Sequence, residues 1–272
     1  MVSSILEFFQ PHKNILVLTG AGVSTASGIP DYRDAAGTWK HSRPMQYQDF
    51  ITSESSRRAY WLRSALGRER FKNASPNAAH TALAELERKG KISLLITQNV
   101  DGLHQRAGSR NVIDLHGSLD HVVCLDCGHR ITRDEVQAYL YRHNPFLENL
   151  VAKPLPDGDT QFAQTDSSGL KFPQCHACGG VLKPELVFYG ESVPAQRVTA
   201  CFEALDRCDA LLVVGSSLMV FSGYRFARHA HQNGIPVAAI NRGLTRADDL
   251  LSLKIEDDCS RVLEDLVGQI GI

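Results

Sequence analysis

The sequence has almost no net charge, no long apolar run and no secretion signal. Its 29 basic and 30 acidic side chains leave a formal charge of -1. Such a balance excludes a general electrostatic attraction to nucleic acid or acidic membranes, although it is compatible with a local charged patch. The first apolar run begins by Asn14, which leaves no room for a transit sequence. We therefore expect a cytoplasmic, monomeric protein without specific nucleic-acid or membrane partners.

The chain also lacks internal repeats and low-complexity tracts. Its 272 residues, 43% of them hydrophobic, can bury one large core or a core plus a small module. Four apolar runs alternate with helical patterns, which predicts an α/β protein with a Rossmann-like parallel sheet. These runs lie near residues 14–19, 93–97, 211–214 and 235–240. We predict a sheet domain built from residues 1–39, 76–117 and 185–272, with a helical insertion at 40–75 and a cysteine-bearing insertion at 118–184.

A glycine-rich segment follows the first apolar run. Gly20, Ala21 and Gly22 come where a buried parallel strand would turn tightly towards a helix. Glycine lets a pyrophosphate approach the backbone, and a helix N-terminus adds partial positive charge. However, Thr25 replaces the third glycine of the dinucleotide fingerprint, and no acidic residue closes a second strand at the usual distance. On the residues alone, a phosphate loop and a structural turn are equally supported.

Two further polar segments are candidates for ligand binding. Residues 27–34 include Asp31 and Arg33. Asp31 could order a ribose or an attacking water, and Arg33 could bind a phosphate. A surface loop with an Asp–Arg pair is the alternative. Residues 98–102 follow the second apolar run, and ligands bind beyond the carboxyl ends of parallel strands. Taken alone, an Asp-Gly turn explains this second segment more simply. His80, in an amphipathic helical pattern, is expected to be structural.

Four of the seven cysteines form two Cys-x-x-Cys pairs, Cys124 with Cys127 and Cys175 with Cys178. Each pair spans one tight turn, and together they supply the four thiolates of a closed tetrahedral zinc site. Because nothing indicates secretion, we do not expect disulfides, and redox chemistry would not need two pairs. The insertion at 118–184 is therefore predicted to bind one structural Zn²⁺ that takes no part in the reaction.

Three segments carry a family resemblance: GAGVSTASGIPDYR at 20–33, TQNVDGLH at 97–104 and LHG at 115–117. They resemble the signatures of the sirtuins, the NAD-dependent protein lysine deacylases. The resemblance covers nearly the whole chain in family order, since it extends to residues 215–217, residues 241–243 and Cys259. Within the family, the chain is most similar to the class of the mitochondrial lipoamidase-like sirtuin of animals and its bacterial relatives. The segments that carry this similarity are 30–33, 215–218 and 245–250.

The resemblance implies a reaction in which NAD is a co-substrate and is consumed. The acyl-lysine carbonyl oxygen attacks the nicotinamide ribose, nicotinamide leaves, and the products are free lysine and an O-acyl-ADP-ribose. His116 is the implied base, since imidazole titrates near neutrality, and Asn99 and Asp101 complete the implied catalytic set. The implied NAD contacts are Gly20, Ala21, Gly22, Thr25, Asp31, Tyr32, Arg33, Gln98, Asn99, Asp101, Gly215, Ser216, Ser217, Asn241, Arg242, Gly243 and Cys259.

Residues 186–191 alternate in the manner of an extended edge that can add a peptide as a strand. An ordinary sheet edge is the alternative. The resemblance implies that residues 217–220 also contact the acyl-lysine peptide. The implied substrate contacts in the first segment are Val187, Phe188, Tyr189 and Gly190.

Tyr60 and Arg63 bear on the acyl group because residues three apart share a helix face. A phenol and a guanidinium can hold a carboxylate, and this spacing resembles that of sirtuins that remove succinyl, malonyl or glutaryl groups. Several arginines crowd the same helix, so a solvated charged face is the simpler explanation. The sequence leaves acetyl, longer-chain, lipoyl and succinyl-type groups as alternatives.

Three other functional classes share part of this pattern. A nicotinamide dehydrogenase would use the same phosphate loop, but it would be expected to keep the third glycine. A zinc-bearing nucleic-acid module would explain the cysteines alone, but it needs a basic stripe. A mono-ADP-ribosyltransferase shares the first chemical step and differs only in the acceptor, so it is the closest alternative.

Overall fold

The computed structural model describes residues 2–34, 36–40, 44–150, 153–154, 160–161 and 167–270. The chain divides into two compact units. The larger, here named the sheet unit, contains Met1–His41, Ala74–Leu115 and Val193–Ile272. The smaller, the cysteine unit, contains Ser42–Asn73 and His116–Ser192, so residues 185–192 group with the cysteines.

Strands and helices are numbered in chain order. The strands are β1 Ile15–Thr19, β2 Ile92–Thr97, β3 Val112–Asp114, β4 Gly117–Cys124, β5 Arg130–Thr132, β6 Lys153–Pro154, β7 Thr160–Gln161, β8 Leu182–Leu186, β9 Ala210–Val214, β10 Val237–Ile240 and β11 Leu253–Ile255. The α-helices are α1 Val2–Phe9, α2 Tyr47–Thr52, α3 Glu54–Asn73, α4 Ala78–Arg88, α5 Leu103–Arg106, α6 Arg133–His143, α7 Ala195–Leu205, α8 Phe221–Gln232 and α9 Cys259–Gln269. Short 3₁₀ helices lie at Ala21–Ser27, Pro145–Asn149 and Asp248–Leu250. Within the described residues, no helix is long and apolar enough to cross a membrane.

The sheet unit is built on a parallel sheet with strand order β11-β10-β9-β1-β2-β3. This confirms the predicted fold class. Strands β1, β9 and β10 are buried along their whole length, which is why their sequences are unbroken apolar runs. From β1 the chain runs through β2 to β3 at one edge, then returns through β9 and β10 to β11 at the other. The direction of winding therefore reverses between β1 and β9.

Helices cover both faces of this sheet. On one face, Phe9 of α1, Leu83 of α4 and Leu263 of α9 pack in a common core. On the other, Cys201 of α7 and Phe226 of α8 pack in a second core. Cys201 is thus a core residue, as its spacing from Cys208 in a helical pattern suggests. The two layers of helix bury the central strands β1, β9 and β10, and polar loops follow the carboxyl ends of these strands.

The cysteine unit joins segments that are far apart in sequence. Its three-stranded antiparallel sheet has the order β5-β4-β8. Arg133, at the start of α6, is fully buried, and its guanidinium lies 5.5 Å from the ring of Trp61 in α3. It also donates to the carbonyl and hydroxyl of Ser64, both at 3.1 Å. The helical segment and the cysteine-bearing segment therefore share one core.

Candidate functional site

The loops that follow β1, β2, β9 and β10 all begin at one edge of the sheet. Thr19 at the end of β1 is in register with Thr97 of β2 and Val214 of β9, and Val214 is in register with Ile240 of β10. The reversal between β1 and β9 places the first and third of these loops at the topological switch point. In open parallel sheets this crevice is where ligands bind.

Glycines allow the two loops at the switch point to touch. The N–H of Gly22 donates to the carbonyl of Gly215 at 2.8 Å. A Cβ at Gly22 would lie 2.8 Å from that oxygen, and a Cβ at Gly20 would lie 2.8 Å from the Cβ of Ser216. Gly215 has a φ of 59°, and a side chain there would overlap the main chain of Val23. The protein's own packing requires these glycines, and phosphate contact by them stays a prediction.

The rest of this loop folds back on itself. Ala21 and Thr25 lie in the 3₁₀ helix, where the Thr25 hydroxyl donates to the Gly22 carbonyl at 2.9 Å. Further on, Asp31 pairs with Lys40 at 2.6 Å, and Tyr32 accepts from the Lys40 N–H at 2.9 Å.

Arg33 lies 4.0 Å above the ring of Trp39 and donates to the Gly37 carbonyl at 2.7 Å. Its guanidinium is thus held by its own loop. Asp31 is paired with Lys40 instead, so the surface Asp–Arg pair considered from the sequence is not the arrangement adopted.

Ser24 connects the loop after β1 to the loop after β2. Its hydroxyl donates to Asp101 Oδ2 at 2.7 Å and accepts from Asn99 Nδ2 at 3.0 Å. The same amide donates to the Gly20 carbonyl at 3.0 Å, which fixes its orientation. Asn99 Oδ1 therefore faces away from these partners, and it has no donor among the described residues. This is an oriented acceptor suited to a carboxamide N–H.

Burial raises the pKa of Asp101, while hydrogen bonds from Ser24 and the Leu103 N–H oppose this effect. The carboxylate is held on both oxygens, one by each of these donors. Ser24 was not among the residues singled out from the sequence. Its only signal is its place inside the 20–33 segment, where a hydroxyl is common without a specific role.

Two buried histidines lie beneath this polar group. The Nδ1 of His80 accepts from the Asn77 N–H at 3.3 Å, and its Nε2 lies 3.5 Å from the Ser24 hydroxyl. Burial lowers the pKa of His80 to about 4, so the ring is neutral near pH 7 and its remaining proton is on Nε2. The His104 ring packs against it at a tilt, with ring centroids 4.8 Å apart, and its Nε2 lies 2.9 Å from the Thr19 hydroxyl. His80 thus caps α4, as expected of a structural residue, and also reaches Ser24.

The other side of the switch point is formed by residues after β9 and β10. Gln98 donates to the Ser216 hydroxyl at 2.9 Å, which joins the β2 and β9 loops. Asn241 donates through its side chain to the Arg242 carbonyl at 3.1 Å, and Arg242 pairs with Asp258 at 3.4 Å. Ser217 accepts from the Arg246 N–H at 2.8 Å. Gly243 has a φ of 83°.

Cys259 begins α9 at the same edge, and its thiol donates to the carbonyl at the end of β10 at 3.6 Å. Burial raises the pKa of this thiol to about 12. The side chain is therefore a neutral packing group at physiological pH, not a nucleophile.

In the cysteine unit, the His116-Gly117 pair lies at the start of β4. The His116 carbonyl accepts from the Val187 N–H at 2.8 Å. Gly117 has a φ of 84°, and any side chain there would overlap the Glu185 carbonyl. The glycine thus lets β8 approach closely, and the half-buried imidazole precedes this point of contact.

The segment 187–190 lies on an aromatic cluster. The ring of Phe188 is 5.1 Å from Phe50 and 5.2 Å from Tyr60. The Tyr189 carbonyl accepts from the Tyr47 N–H at 2.8 Å. Gly190, with a φ of 79°, turns the chain after it. The helical and cysteine-bearing segments therefore jointly position this segment.

An ion pair between the buried Lys183 and the half-buried Glu191 holds the same segment. Lys183 Nζ lies 2.9 Å from Glu191 Oε2 and 4.6 Å from the Phe188 ring centroid, and it also donates to the Leu186 carbonyl. Glu191 in turn accepts from the Phe188 N–H at 2.8 Å. Burial lowers the pKa of Lys183, and the Glu191 carboxylate opposes that shift. Lys183 was not singled out from the sequence. The only indication would have been a lysine within a strand, and the burial of that strand became known only from the fold.

Tyr60 and Arg63 both lie on α3, as predicted. Tyr60 is only 4% exposed, with its ring at 5.5 Å from Phe50 and 5.3 Å from Trp61. Arg63 is half-buried. Neighbouring arginines donate to main-chain carbonyls, Arg57 to Phe50 at 2.9 Å among them, so the helix does not present a purely solvated charged face.

The four cysteines converge as predicted. All four Sγ atoms lie within 4.8 Å of one another, with Cys124 at 3.5 Å from Cys178 and Cys127 at 3.7 Å from Cys175. Zinc–sulfur bonds of about 2.3 Å in a tetrahedron place the sulfurs about 3.8 Å apart, close to these separations. The cluster fits a structural zinc ion with no open coordination position. Asp126 braces it by accepting from the Val181 N–H at 3.0 Å.

Comparison with known proteins decides the family. The sequence profile described as the Sir2 family matches residues 20–222. The chain belongs to the Sir2 family. It is 52% identical over 260 residues to "NAD-dependent protein deacetylase 2" of Bradyrhizobium diazoefficiens, covering 96% of this chain and 95% of that one. It is 53% identical over 260 residues to "NAD-dependent protein deacetylase" of Xanthomonas campestris pv. campestris, covering 96% and 89%.

Solved structures of Sir2 proteins agree with this assignment. The structure "Sir2-p53 peptide-NAD+" is 29% identical, with a TM-score of 0.76 and coverage of 99% of this chain and 98% of that one. "Structure of Sir2Tm bound to a propionylated peptide" is 28% identical, with a TM-score of 0.79 and 98% coverage of both chains. The similarity thus spans both units of this Sir2 protein.

Proposed function

We propose that this chain is an NAD-dependent protein lysine deacylase that transfers the acyl group to ADP-ribose and releases nicotinamide. The observation that carries this proposal is the Ser24, Asn99 and Asp101 cluster at the switch point of a Sir2-family sheet. It combines a carboxamide acceptor with a carboxylate in one hydrogen-bonded group. Relatives about 50% identical over nearly the whole chain are named NAD-dependent protein deacetylases.

NAD supplies the electrophilic ribose carbon and nicotinamide as leaving group. In this proposal, Asn99 Oδ1 accepts from the nicotinamide carboxamide, and Asp101 orients the adjoining ribose. The loop at 20–33 binds the phosphates through its main chain and Arg33. Gln98, the loop at 215–217, residues 241–243 and Cys259 border the rest of the dinucleotide.

His116 is proposed as the base that takes a proton from the ribose hydroxyl. An imidazole can accept this proton and later return it. The zinc ion, closed off by four thiolates, holds the cysteine unit together and takes no part in the chemistry.

Two segments are proposed to bind the peptide around the acyl-lysine. One is 187–190, held by Tyr47 and the Lys183–Glu191 ion pair. The other is 217–220, where Leu218 has a φ of 54°, a conformation that a non-glycine residue adopts rarely and often at functional sites. The Leu218 carbonyl and Met219 N–H have no main-chain partner in the described part of the chain, so they are available to an added strand.

The acyl range is proposed to include acetyl groups, and Tyr60 with Arg63 is proposed to admit acidic ones. If the pair binds an acyl carboxylate, the double substitution Tyr60→Phe and Arg63→Met should reduce desuccinylation at least about tenfold more than deacetylation. Rates on matched succinyl- and acetyl-lysine peptides measure this difference. Equal losses on both peptides would remove the idea. The cytoplasmic location and monomeric state expected from the sequence stay predictions.

The test of the proposed function is mass spectrometry of the purified protein with NAD and a panel of acyl-lysine peptides. The panel contains acetyl, longer-chain, lipoyl, succinyl and glutaryl groups, and each reaction is repeated with His116→Ala. We expect nicotinamide, free lysine and O-acyl-ADP-ribose, and the variant should lose the free lysine and the O-acyl-ADP-ribose. ADP-ribose left covalently on protein, with no deacylated peptide, would instead indicate a mono-ADP-ribosyltransferase.

A further inference from the structure

The beginning of α8 carries an exposed aromatic ring surrounded by arginines. Phe221 is 45% exposed. The guanidinium carbons of Arg225, Arg228 and Arg246 lie 5.2, 5.4 and 5.9 Å from its ring centroid. These four residues are here named the Phe221 patch. A guanidinium near an aromatic ring face is a favourable cation–π contact, so this one ring holds three cations together at the surface.

The three guanidiniums of the Phe221 patch have no carboxylate within ion-pair distance among the described residues. Other arginines of the sheet unit do: Arg242 pairs with Asp258, and Arg261 pairs with Asp257. Within the described part of the chain, the buried Nε of Arg225 also has no hydrogen-bond acceptor. In a chain with a formal charge of -1, three unneutralised cations around one ring are a local excess of positive charge.

The Phe221 patch is continuous with the peptide-binding segment proposed above. Phe221 directly follows Val220, and Arg246 donates from its main chain to the Ser217 carbonyl at 2.8 Å and from its side chain to the Met219 carbonyl at 3.4 Å. Arg246 also lies 4.4 Å from the ring of Tyr224. One end of a peptide added along 217–220 would therefore lie beside the Phe221 patch.

We propose that the Phe221 patch binds acidic residues of the protein substrate that flank the acyl-lysine on one side. The inference rests on the proposed function and names a substrate class for it. Guanidiniums form directed, often bidentate hydrogen bonds with carboxylates, and the Phe221 ring offers apolar cover to the aspartate or glutamate stem. Protein is favoured over nucleic acid as the partner because the balanced charge of the whole chain gives no extended basic stripe.

The test uses the full-length protein and three acetyl-lysine peptides. One carries three acidic residues on the N-terminal side, one carries them on the C-terminal side, and one is neutral. We expect kcat/KM for one acidic peptide to exceed that for the neutral peptide by about fivefold at low salt, as several partly exposed ion pairs would give. The preference should shrink as salt is added. In Arg228→Glu, it should fall to about one or reverse.

The matched control is Arg110→Glu, which changes charge equally at another exposed arginine of the sheet unit and should keep the preference. Equal rates on all three peptides, or equal losses in both variants, would overturn the inference while leaving deacylation established. No turnover of the neutral peptide would instead contradict the proposed function. Salt-sensitive oligonucleotide binding lost only in Arg228→Glu, with unchanged peptide preference, would assign the Phe221 patch to nucleic acid and overturn the proposal.

Discussion

At the scale of single residues, Ser24 has the strongest link to the proposed chemistry. Its one proton goes to Asp101, and its oxygen accepts from Asn99. A hydroxyl with these partners has its rotation fixed, and it fixes in turn the amide and the carboxylate. A substitution here should therefore alter NAD use more than it alters folding.

Ser24→Ala should lower kcat/KM for NAD at least about tenfold, because a hydrogen bond to a charged group contributes about 1.5 to 3 kcal/mol. Initial rates of nicotinamide release at varied NAD concentration measure the effect. Thr81→Ala, which removes an exposed hydroxyl from α4, is the control and should behave as the unmodified protein. Normal NAD kinetics in Ser24→Ala would show that this serine has no role in binding NAD or in its reaction.

The buried histidines predict how stability depends on pH. The pKa of His80 is lowered from 6.5 to about 4 by burial, and burial also lowers the pKa of His104. Between pH 6.5 and about 4, His80 binds a proton in the unfolded chain but not in the folded one. The stability that comes from a neutral His80 is therefore fully present above pH 6.5 and falls as the pH drops towards 4. The full shift at His80 corresponds to about 3 kcal/mol.

Urea unfolding at several pH values measures this slope. His80→Gln lacks the titrating group, so its stability should fall less steeply over the same range, whatever its stability at neutral pH. If the two slopes are equal, His80 does not stay neutral in the fold.

At the scale of elements, the four cysteines fasten β4 to β8. Cys124 is the last residue of β4, and the Cys175 pair precedes β8, so a metal bound there crosslinks the sheet. We expect about one zinc per chain by elemental analysis. Cys127→Ser should lose the metal and lower the Tm of the cysteine unit. Cys201→Ser, in the apolar core, should keep its zinc even if it is less stable, and zinc retained by Cys127→Ser would contradict the assigned ligand set.

The Lys183–Glu191 pair gives a second prediction at this scale. Lys183→Met leaves the partly exposed Glu191 carboxylate without its cation and should lower the free energy of unfolding by about 1 to 3 kcal/mol. Adding Glu191→Gln removes that charge and should recover much of the loss in stability. If the pair also positions 187–190, both variants should raise KM for peptide and leave KM for NAD unchanged. An unchanged KM for peptide in the double variant would show that the pair stabilises the fold but does not position 187–190 for peptide binding.

The sequence predicts some elements better than others for physical reasons. Strands β1, β9 and β10 are buried along their whole length and β2 is buried at its carboxyl end, so they appear as apolar runs, whereas β3 and β11 have three residues each and are only partly buried. Helix α1 was not predicted because its eight residues make only about two helical turns, a short window for a pattern. The cysteine spacing predicted a metal cluster because each Cys-x-x-Cys pair lies within one tight turn, so both halves of the site can be recognised from neighbouring residues.

Contacts between distant segments could not be predicted. Nothing near Ser24 in sequence indicates Asp101 as its partner, since 77 residues separate them. Gly215 and Gly22 face each other only because their strands are neighbours in the sheet. Likewise, the aromatic cluster under Phe188 joins α2, α3 and the segment after β8. The family resemblance supplied the candidate site residues, whereas their hydrogen-bond partners required the fold.

At the scale of the whole molecule, the sheet unit and the cysteine unit contain different parts of the proposed machinery. The sheet unit holds Ser24, Asn99 and Asp101, and the cysteine unit holds His116 and the segment 187–190. His116 is proposed to act only after nicotinamide has left. Its loss should therefore reduce the release of nicotinamide less than it reduces the formation of free lysine and O-acyl-ADP-ribose. Consumption of NAD and deacylation should therefore be tightly coupled in the unmodified protein.

The most direct measurement of the central claim is the ratio of nicotinamide to deacylated lysine formed in the same reaction. The purified protein, NAD and an acetyl-lysine peptide are mixed, and both products are quantified by mass spectrometry over time. NAD-dependent deacylation predicts equal amounts of the two, together with O-acyl-ADP-ribose, and none without NAD. Nicotinamide released without deacylated peptide, or peptide deacylated without NAD, would contradict it.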